Sequence, residues 1–258
     1  MTYTDTMGYT VSTMSSEALA AYEQGVSLWL RQRSGAVDAL THAVAVDPHF
    51  ALAHCTRAYV AWRMGQVETA LAAHQQAMTL ADDVHEEREH LHLQTVDAMR
   101  SCNGAAALHH LEAIADRYPA DRMAMRVLSF NYIARGDYQS GVTQARHSLA
   151  ACPDDPQFLT MAAFFLEQSN EDPDEALDLW SGCAVCLRAK RVGSGPLWGR
   201  ICLRVKWPAS AAISKRRFVS WPQRCSASTK WEGGVESKRT FFKTCCWSYT
   251  VALATSTT

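Results

Sequence analysis

A repeat of about 34 residues in the first 180 positions constrains the fold more than any other feature of the sequence. A small residue recurs at spacings of 34, 37, 34 and 35 positions, and a second one follows seven positions later in every unit except one, which has Ile114. The first set is Ala36, Ala70, Ala107, Gly141 and Ala176, and the second is Ala43, Ala77, Ser148 and Cys183. Proline occurs twelve positions after the first small residue in three units, at Pro48, Pro119 and Pro153, and Asp82 takes this position in the second unit.

This spacing predicts pairs of antiparallel helices. Two helices joined by a short turn pack closely only where a small side chain lets their backbones approach, and proline ends the second helix. In the second unit we expect helices over 50–64 and 67–80 with a turn at Gly65, and turn glycines recur at Gly35, Gly104 and Gly136. In the fifth unit, Asp172 is the predicted N-cap, with Pro173 at the first helical position and Glu175 closing a capping box.

The pattern resembles the tetratricopeptide repeat (TPR) family. Further residues are similar to the group named tetratricopeptide repeat protein 38: Arg88-Glu89-His90-Leu91-His92, Ala98, Tyr118-Pro119-Ala120-Asp121 and Leu128-Ser129. The resemblance implies an all-α, right-handed α-solenoid of about five TPR-like hairpins over residues 15–184. Residues 1–14 are predicted to be a disordered N-terminus.

Stacked helical hairpins leave a concave groove lined by the first helix of each unit, and function in such folds usually lies there. Counting along these helices predicts seven groove residues: Tyr59, Trp62, Arg63, His92, Arg100, Arg126 and Phe130. Arginine and aromatic side chains are common anchors in protein interfaces, although Trp62 and Phe130 also suit packing between adjacent repeats. The sequence therefore predicts a non-catalytic scaffold that binds a protein or peptide segment and needs no cofactor.

The composition changes abruptly after Trp180. The first 180 residues carry 11 Arg, no Lys and 24 Asp and Glu, a net charge of -13, whereas the last 78 carry 14 Lys and Arg, two Glu and no Asp, a net charge of +12. The repeat also stops, so residues 185–258 are predicted to be an irregular or disordered basic tail. Such a change is what a shift of reading frame would produce.

A nucleic-acid-binding tail is the alternative, because Lys and Arg neutralise phosphates and Trp198, Trp207, Trp221 and Trp231 could stack on bases. The acidic body argues against nucleic acid as a partner of the whole chain.

Metal sites and catalysis have weaker support. Cys183-x-x-Cys186 lacks a second pair of ligands at usable spacing. His85 and His90 are five positions apart, whereas ligands on one helical face must be four apart, so the run 85–90 is interpreted as the solvated start of a helix rather than a metal site. Because no nucleophile has a recognisable setting, we expect no enzyme; a metal-dependent protein using His85 to His92 is the rival class.

The remaining predictions concern location and assembly. The sequence contains no stretch approaching the roughly 20 apolar residues of a membrane span and no basic, apolar secretion signal at its start, so a cytoplasmic location is expected. Cys55, Cys102 and Cys152 are interpreted as reduced core residues. A last repeat without a polar capping helix would leave four large apolar residues exposed to solvent, Phe164, Phe165, Leu177 and Trp180. This predicts self-association if the tail does not cover them.

Overall fold

The computed structural model describes residues 3–182, with side chains to residue 180. Two short strands precede ten helices in this range. The strands are β1 (Tyr3–Thr4) and β2 (Thr10–Val11). The helices are α1 (Ser16–Leu30), α2 (Ala36–Val46), α3 (Ala51–Arg63), α4 (Val67–Thr79), α5 (Glu87–Arg100), α6 (Gly104–Arg117), α7 (Arg122–Arg135), α8 (Tyr138–Ala151), α9 (Pro156–Ser169) and α10 (Pro173–Gly182).

The helices form five hairpins, each an odd-numbered helix followed by an even-numbered one. The hairpins stack in sequence, since α2 packs on α3, α6 on α7 and α8 on α9. The first helices also meet directly where α3 packs on α5. The fold is therefore the predicted α-solenoid of TPR-like hairpins, and the expected helices of the second unit are confirmed to within one residue at each end.

The repeating small residues lie where helices meet. All five residues of the first set are buried, and Ala43, Ala77 and Ser148 of the second set are fully buried, as is the exception Ile114. At Gly141 the Phe165 ring of α9 lies so close that a Cβ atom would collide with it. Small size at this position therefore determines how closely α8 and α9 approach.

Turns and caps begin and end the helices much as predicted. Gly35, Gly65 and Gly136 have positive φ of 89°, 73° and 68°, a conformation that glycine adopts without a steric penalty. Gly104 is instead the first residue of α6, and the positive φ of that turn, 55°, falls on Cys102. Asp172 accepts a hydrogen bond from the Glu175 amide at 2.8 Å, as predicted for an N-cap.

The Glu175 carboxylate differs from the capping-box prediction in its partner. It pairs with Arg146 of α8 at 2.5 Å. The Arg146 side chain also lies 2.8 Å from Glu171, so the pairs link the fourth hairpin to the fifth.

The N-terminus is ordered, and the prediction of disorder over residues 1–14 is wrong for residues 3–14. Strands β1 and β2 pair antiparallel, Tyr3 with Val11, through a turn at Gly8. Val11 is 2% exposed and joins the core of the helical stack. Local sequence patterns could not predict this, because a two-stranded hairpin is not stable by itself and depends on the surface that it contacts.

The cysteine predictions hold only in part. Cys55 is fully buried, and burial raises the pKa of its thiol well above the usual range. Cys102, by contrast, is exposed, and Cys152 is half-buried. Packing around α3 therefore makes Cys55 the only one of these three that is a core residue.

Two further predictions concern the end of the repeat array. Phe165 is buried against Gly141 and Tyr132, whereas Leu177 is 63% exposed. Self-association through this end stays a prediction. The basic tail 185–258, Cys183 and Cys186 lie outside the described residues, and so do the reading-frame and nucleic-acid interpretations of the tail.

Candidate functional site

Two arginines and one aromatic ring of the predicted groove converge. The Arg63 guanidinium of α3 lies 4.2 Å from the centre of the Phe130 ring of α7, and the Arg126 guanidinium lies 4.9 Å from the same ring. Arg63 is exposed, Phe130 is half-buried and Arg126 is 9% exposed. Such guanidinium-ring contacts are favourable because the face of an aromatic ring carries partial negative charge.

The electrostatics of this site are those of one buried arginine, Arg126, beside one exposed arginine, Arg63. Burial, together with repulsion from Arg63, lowers the pKa of Arg126 to about 10. Arg126 stays charged at neutral pH, since that value is well above 7. An anion placed between the two guanidinium groups would offset both the burial and the repulsion.

Trp62 and Arg100 are two further predicted groove residues. Trp62 is half-buried in the last turn of α3, next to Arg63 in the sequence. Arg100 is exposed in the last turn of α5. The structure therefore brings Arg63, Arg126 and Phe130 together as one cluster, with Trp62 and Arg100 at the same ends of neighbouring first helices.

Tyr59 and His92 differ from the other predicted groove residues because both are buried, at 1% and 0% exposure. The Tyr59 hydroxyl donates to the His92 carbonyl at 3.2 Å and lies 3.2 Å from His92 Nδ1. In this structure neither side chain is accessible to a peptide. They connect α3 to α5 inside the fold.

His92 belongs to a buried network of charges that the sequence did not reveal. The Asp121 carboxylate lies 3.0 Å from His92 Nε2 and 3.1 Å from Arg88, and Arg88 lies 2.8 Å from Asp5. The side chains of all four residues are at most 8% exposed. We call Asp5, Arg88, His92 and Asp121 the buried ion network.

Mutual attraction outweighs burial in this network. Burial opposes the charged form of Asp121, but His92 and Arg88 hold the pKa of Asp121 well below its usual range. Burial likewise opposes the charge on Arg88, but Asp121 and Asp5 raise the pKa of Arg88 on balance. Asp121 and Arg88 therefore carry opposite charges throughout the physiological pH range.

The interpretation of residues 85–90 as a solvated helix start is wrong for two of its six residues. His85, Glu87 and His90 are exposed, but Arg88 and Glu89 are 4% and 0% exposed. Burial raises the pKa of Glu89, an effect that the hydrogen bond from the Ser12 amide to Glu89 opposes. Local spacing could not predict this, because the groups that satisfy Arg88 and Glu89 lie far away in the sequence.

The rival metal interpretation receives no geometric support from the same region. Within residues 3–182, no group of three or more His, Cys, Asp or Glu side chains is placed to hold a metal ion. The His85 and His90 side chains are both exposed.

A separate cavity of about 340 Å³ lies between α6, α7 and α8, and it is not among the sites predicted from the sequence. Its lining is polar and carries two carboxyl groups; it consists of Glu112, Asp116, Tyr132, Gln139, Ser140, Thr143 and Gln144. The Tyr132 hydroxyl donates to Glu112 at 3.1 Å. This bond links α7 to α6, so the Tyr132 hydroxyl has a hydrogen-bond partner within the protein.

None of the helices in residues 3–182 combines the length and the apolar character that crossing a bilayer requires.

Comparisons with known proteins give structural matches alone. No family model matches the chain, and no curated protein matches it. A MamA double mutant is 14% identical, with a TM-score of 0.38, over 70% of this chain and 99% of its own. YrrB, described as a TPR protein with an unusual peptide-binding site, is also 14% identical with a TM-score of 0.38, over 73% and 92% of the two chains.

The type IV pilus biogenesis factor PilW is 16% identical, with a TM-score of 0.36, over 73% of this chain and 99% of its own. The assignment of the fold rests on the stacked hairpins themselves. The narrower resemblance to the tetratricopeptide repeat protein 38 group stays a prediction.

Proposed function

We propose that the chain is a non-catalytic scaffold that binds a protein or peptide segment through an acidic side chain or carboxylate. The observation that carries this proposal is the placement of Arg63 and Arg126 on the same Phe130 ring. Arg63 comes from the second hairpin and Arg126 from the fourth, so a ligand at this site would contact first helices of different units.

The chemistry of the three side chains fits a peptide with a carboxylate and an apolar neighbour. A carboxylate accepts two parallel hydrogen bonds from one guanidinium, and an anion relieves the repulsion between the two arginines. The half-buried Phe130 ring and Trp62 supply apolar surface of the kind found at the centres of protein interfaces. A basic peptide would be repelled by the same pair, so charge supplies selectivity.

The positive charge of this cluster contrasts with the rest of the domain, because the first 180 residues carry a net charge of -13. A long-range acidic field does not attract an acidic peptide, so recognition must depend on contacts within a Debye length of roughly 8 Å at physiological salt. We therefore expect a short acidic motif rather than a polyacidic ligand.

The test is selection of binders from a displayed library of random 12-residue peptides on the full chain. We expect recovered sequences to be enriched in Asp and Glu, and selection on Arg63→Gln to lose that enrichment. Arg63 is exposed, so its replacement should not disturb folding. Arg33→Gln is the matched control, because Arg33 is an exposed arginine that lies after α1, outside the cluster. Equal acidic enrichment on wild type and Arg63→Gln would refute the proposal.

A further inference from the structure

Residues 3–13, which we call the N-terminal segment, lie across several hairpins in the manner of a bound peptide. The Thr6 amide donates to Glu23 of α1 at 2.6 Å, and the Ser12 amide donates to Glu89 of α5 at 2.8 Å. Further along the array, the Tyr9 hydroxyl accepts a hydrogen bond from the Ala120 amide at 3.1 Å, just before α7. The segment therefore contacts elements of the first, third and fourth units.

Its last anchor lies between the first and second units. The Thr13 hydroxyl donates to Asp47, between α2 and α3, at 2.5 Å. Thr13 is fully buried, and the next residue, Met14, is 68% exposed. The connection to α1 is thus a short exposed link that follows a buried anchor.

Asp5 and Tyr9 supply the specific anchors. The Asp5 carboxylate lies 2.8 Å from the Arg88 guanidinium, and the Tyr9 ring lies 4.9 Å from the same group. The Tyr9 ring also meets the Tyr118 ring edge-to-face, with centres 5.4 Å apart. One buried arginine therefore contacts a carboxylate and an aromatic ring that lie four positions apart, on the two sides of the turn at Gly8.

The segment adds no helix to the stack, although Val11 packs into its core. Its two strands have two residues each and pair only with each other within residues 3–182, so they form a two-stranded sheet apart from the helices. A sheet of this size is not stable alone, so the segment stays in place through its anchors on the helices. Side-chain anchors and a few amides are the contacts that a second peptide could also make.

We propose that the surface beneath the N-terminal segment is a second peptide-binding surface, which this segment occupies within its own chain. A partner enters it by presenting a carboxylate and an aromatic ring four positions apart, as Asp5 and Tyr9 do. The acidic group would pair with Arg88 and the ring would lie between Arg88 and Tyr118. The N-terminal segment thereby acts as a built-in competitor that sets the partner concentration needed for binding.

The expected strength of this competition follows from linkage. A segment tethered next to its site has an effective concentration on the order of millimolar, so a partner of equal intrinsic affinity binds poorly until the segment is displaced. Weakening the segment's own anchors should therefore increase binding of a competing peptide, not decrease it. An increase in peptide binding would therefore identify the segment as a competitor, whereas a purely structural segment would give no increase.

The test measures binding of a fluorescein-labelled peptide of residues 1–14 to full-length chains by fluorescence anisotropy. We expect the Asp5→Ala/Tyr9→Ala chain to bind this peptide at least tenfold more tightly than the wild-type chain does. Thr4→Ala is the matched control, because Thr4 is exposed in the same segment, and it should behave as wild type. A labelled peptide that itself carries Asp5→Ala and Tyr9→Ala should bind neither chain.

Hydrogen exchange of the wild-type chain supplies a second measurement. The Tyr9 amide is bonded to Asp5 within the segment, so it should exchange faster than the amides of α3 if the segment opens without unfolding the helices. Equal exchange of the segment and α3 would refute the proposal. So would a substituted chain that binds the peptide no better than wild type, or one that loses its helical circular dichroism, since the segment would then be part of the fold.

These results are separable from those for the Arg63, Phe130 and Arg126 cluster. The contacts of the N-terminal segment described above involve none of these three residues. Arg63→Gln should therefore leave binding of the labelled peptide unchanged, and either proposal can fail without the other.

Discussion

Arg88, on the first turn of α5, forms a buried ion pair with Asp5 at 2.8 Å although the two residues belong to distant parts of the sequence. The same guanidinium lies 3.1 Å from Asp121. Arg88 therefore joins the N-terminal segment to the start of α7.

Removing the charge of Asp121 should destabilise the fold more than removing the charge of Asp155, which holds the corresponding position one repeat later. Asp121→Asn keeps an oxygen that can cap the Ala124 amide but withdraws the negative charge from Arg88 and His92. Because a buried positive charge loses one of its partners, we expect the free energy of unfolding to fall by about 3 kcal/mol.

Asp155→Asn is the matched control. Asp155 caps the Gln157 amide of α9 and pairs with Arg122, whose side chain is 35% exposed. Water can therefore replace the lost contact, and the expected loss is about 1 kcal/mol. Urea denaturation followed by circular dichroism measures both values. Equal losses would contradict the buried ion network as the source of the difference.

Acid should weaken the fold through Asp121. The pKa of this carboxyl is lowered in the folded chain, so its stabilising contribution is complete above the unfolded value of about 3.9 and is lost as pH falls through the folded value. Urea denaturation at a series of pH values should show that Asp121→Asn lowers stability at neutral pH. The difference between Asp121→Asn and wild type should shrink below about pH 4. A difference that is independent of pH would contradict this assignment.

Replacing Gly141 by alanine should destabilise the contact between the fourth and fifth hairpins. Its Cβ atom would collide with the Phe165 ring, which is itself 1% exposed and cannot move into solvent freely. Overpacking costs about 1–3 kcal/mol and alanine gains about 1 kcal/mol in helix propensity, so the expected net loss is up to about 2 kcal/mol.

Gly104→Ala is the control for Gly141→Ala. Gly104 also lies in a helix, but nothing lies within 4 Å of the position that its Cβ atom would take. Alanine there should leave stability unchanged or raise it by up to about 1 kcal/mol. Differential scanning calorimetry compares the two melting temperatures. A Gly141→Ala chain as stable as the Gly104→Ala chain would show that helix packing tolerates a side chain at this point.

The fold could be predicted because its signals are local and repeated. Ala70 and Ala77 mark one helix face, Gly65 allows the positive φ of a turn, and Asp172 caps a helix through its own neighbour Glu175. Each of these effects acts within a few residues, and each recurs at nearly constant spacing. A periodic sequence thus specifies hairpins without reference to distant contacts.

The candidate site could be predicted only in part. Arg63, Arg126 and Phe130 were identified by counting along helices, and they do meet. Tyr59 and His92 satisfy the same count, yet they are buried in this structure. Helical periodicity shows which face a residue occupies, but it does not show what other segment covers that face.

By itself, the sequence determined the helical hairpins, their order and the small residues at which they pack, because those features depend on local spacing and side-chain size. Only the tertiary structure decided that Arg88, Glu89 and His92 are buried and that the N-terminal segment lies over them. Burying charged groups is favourable only when opposite charges and hydrogen-bond partners meet them. Those partners, Asp5, Ser12 and Asp121, are brought into place by the folded chain and not by proximity in the sequence.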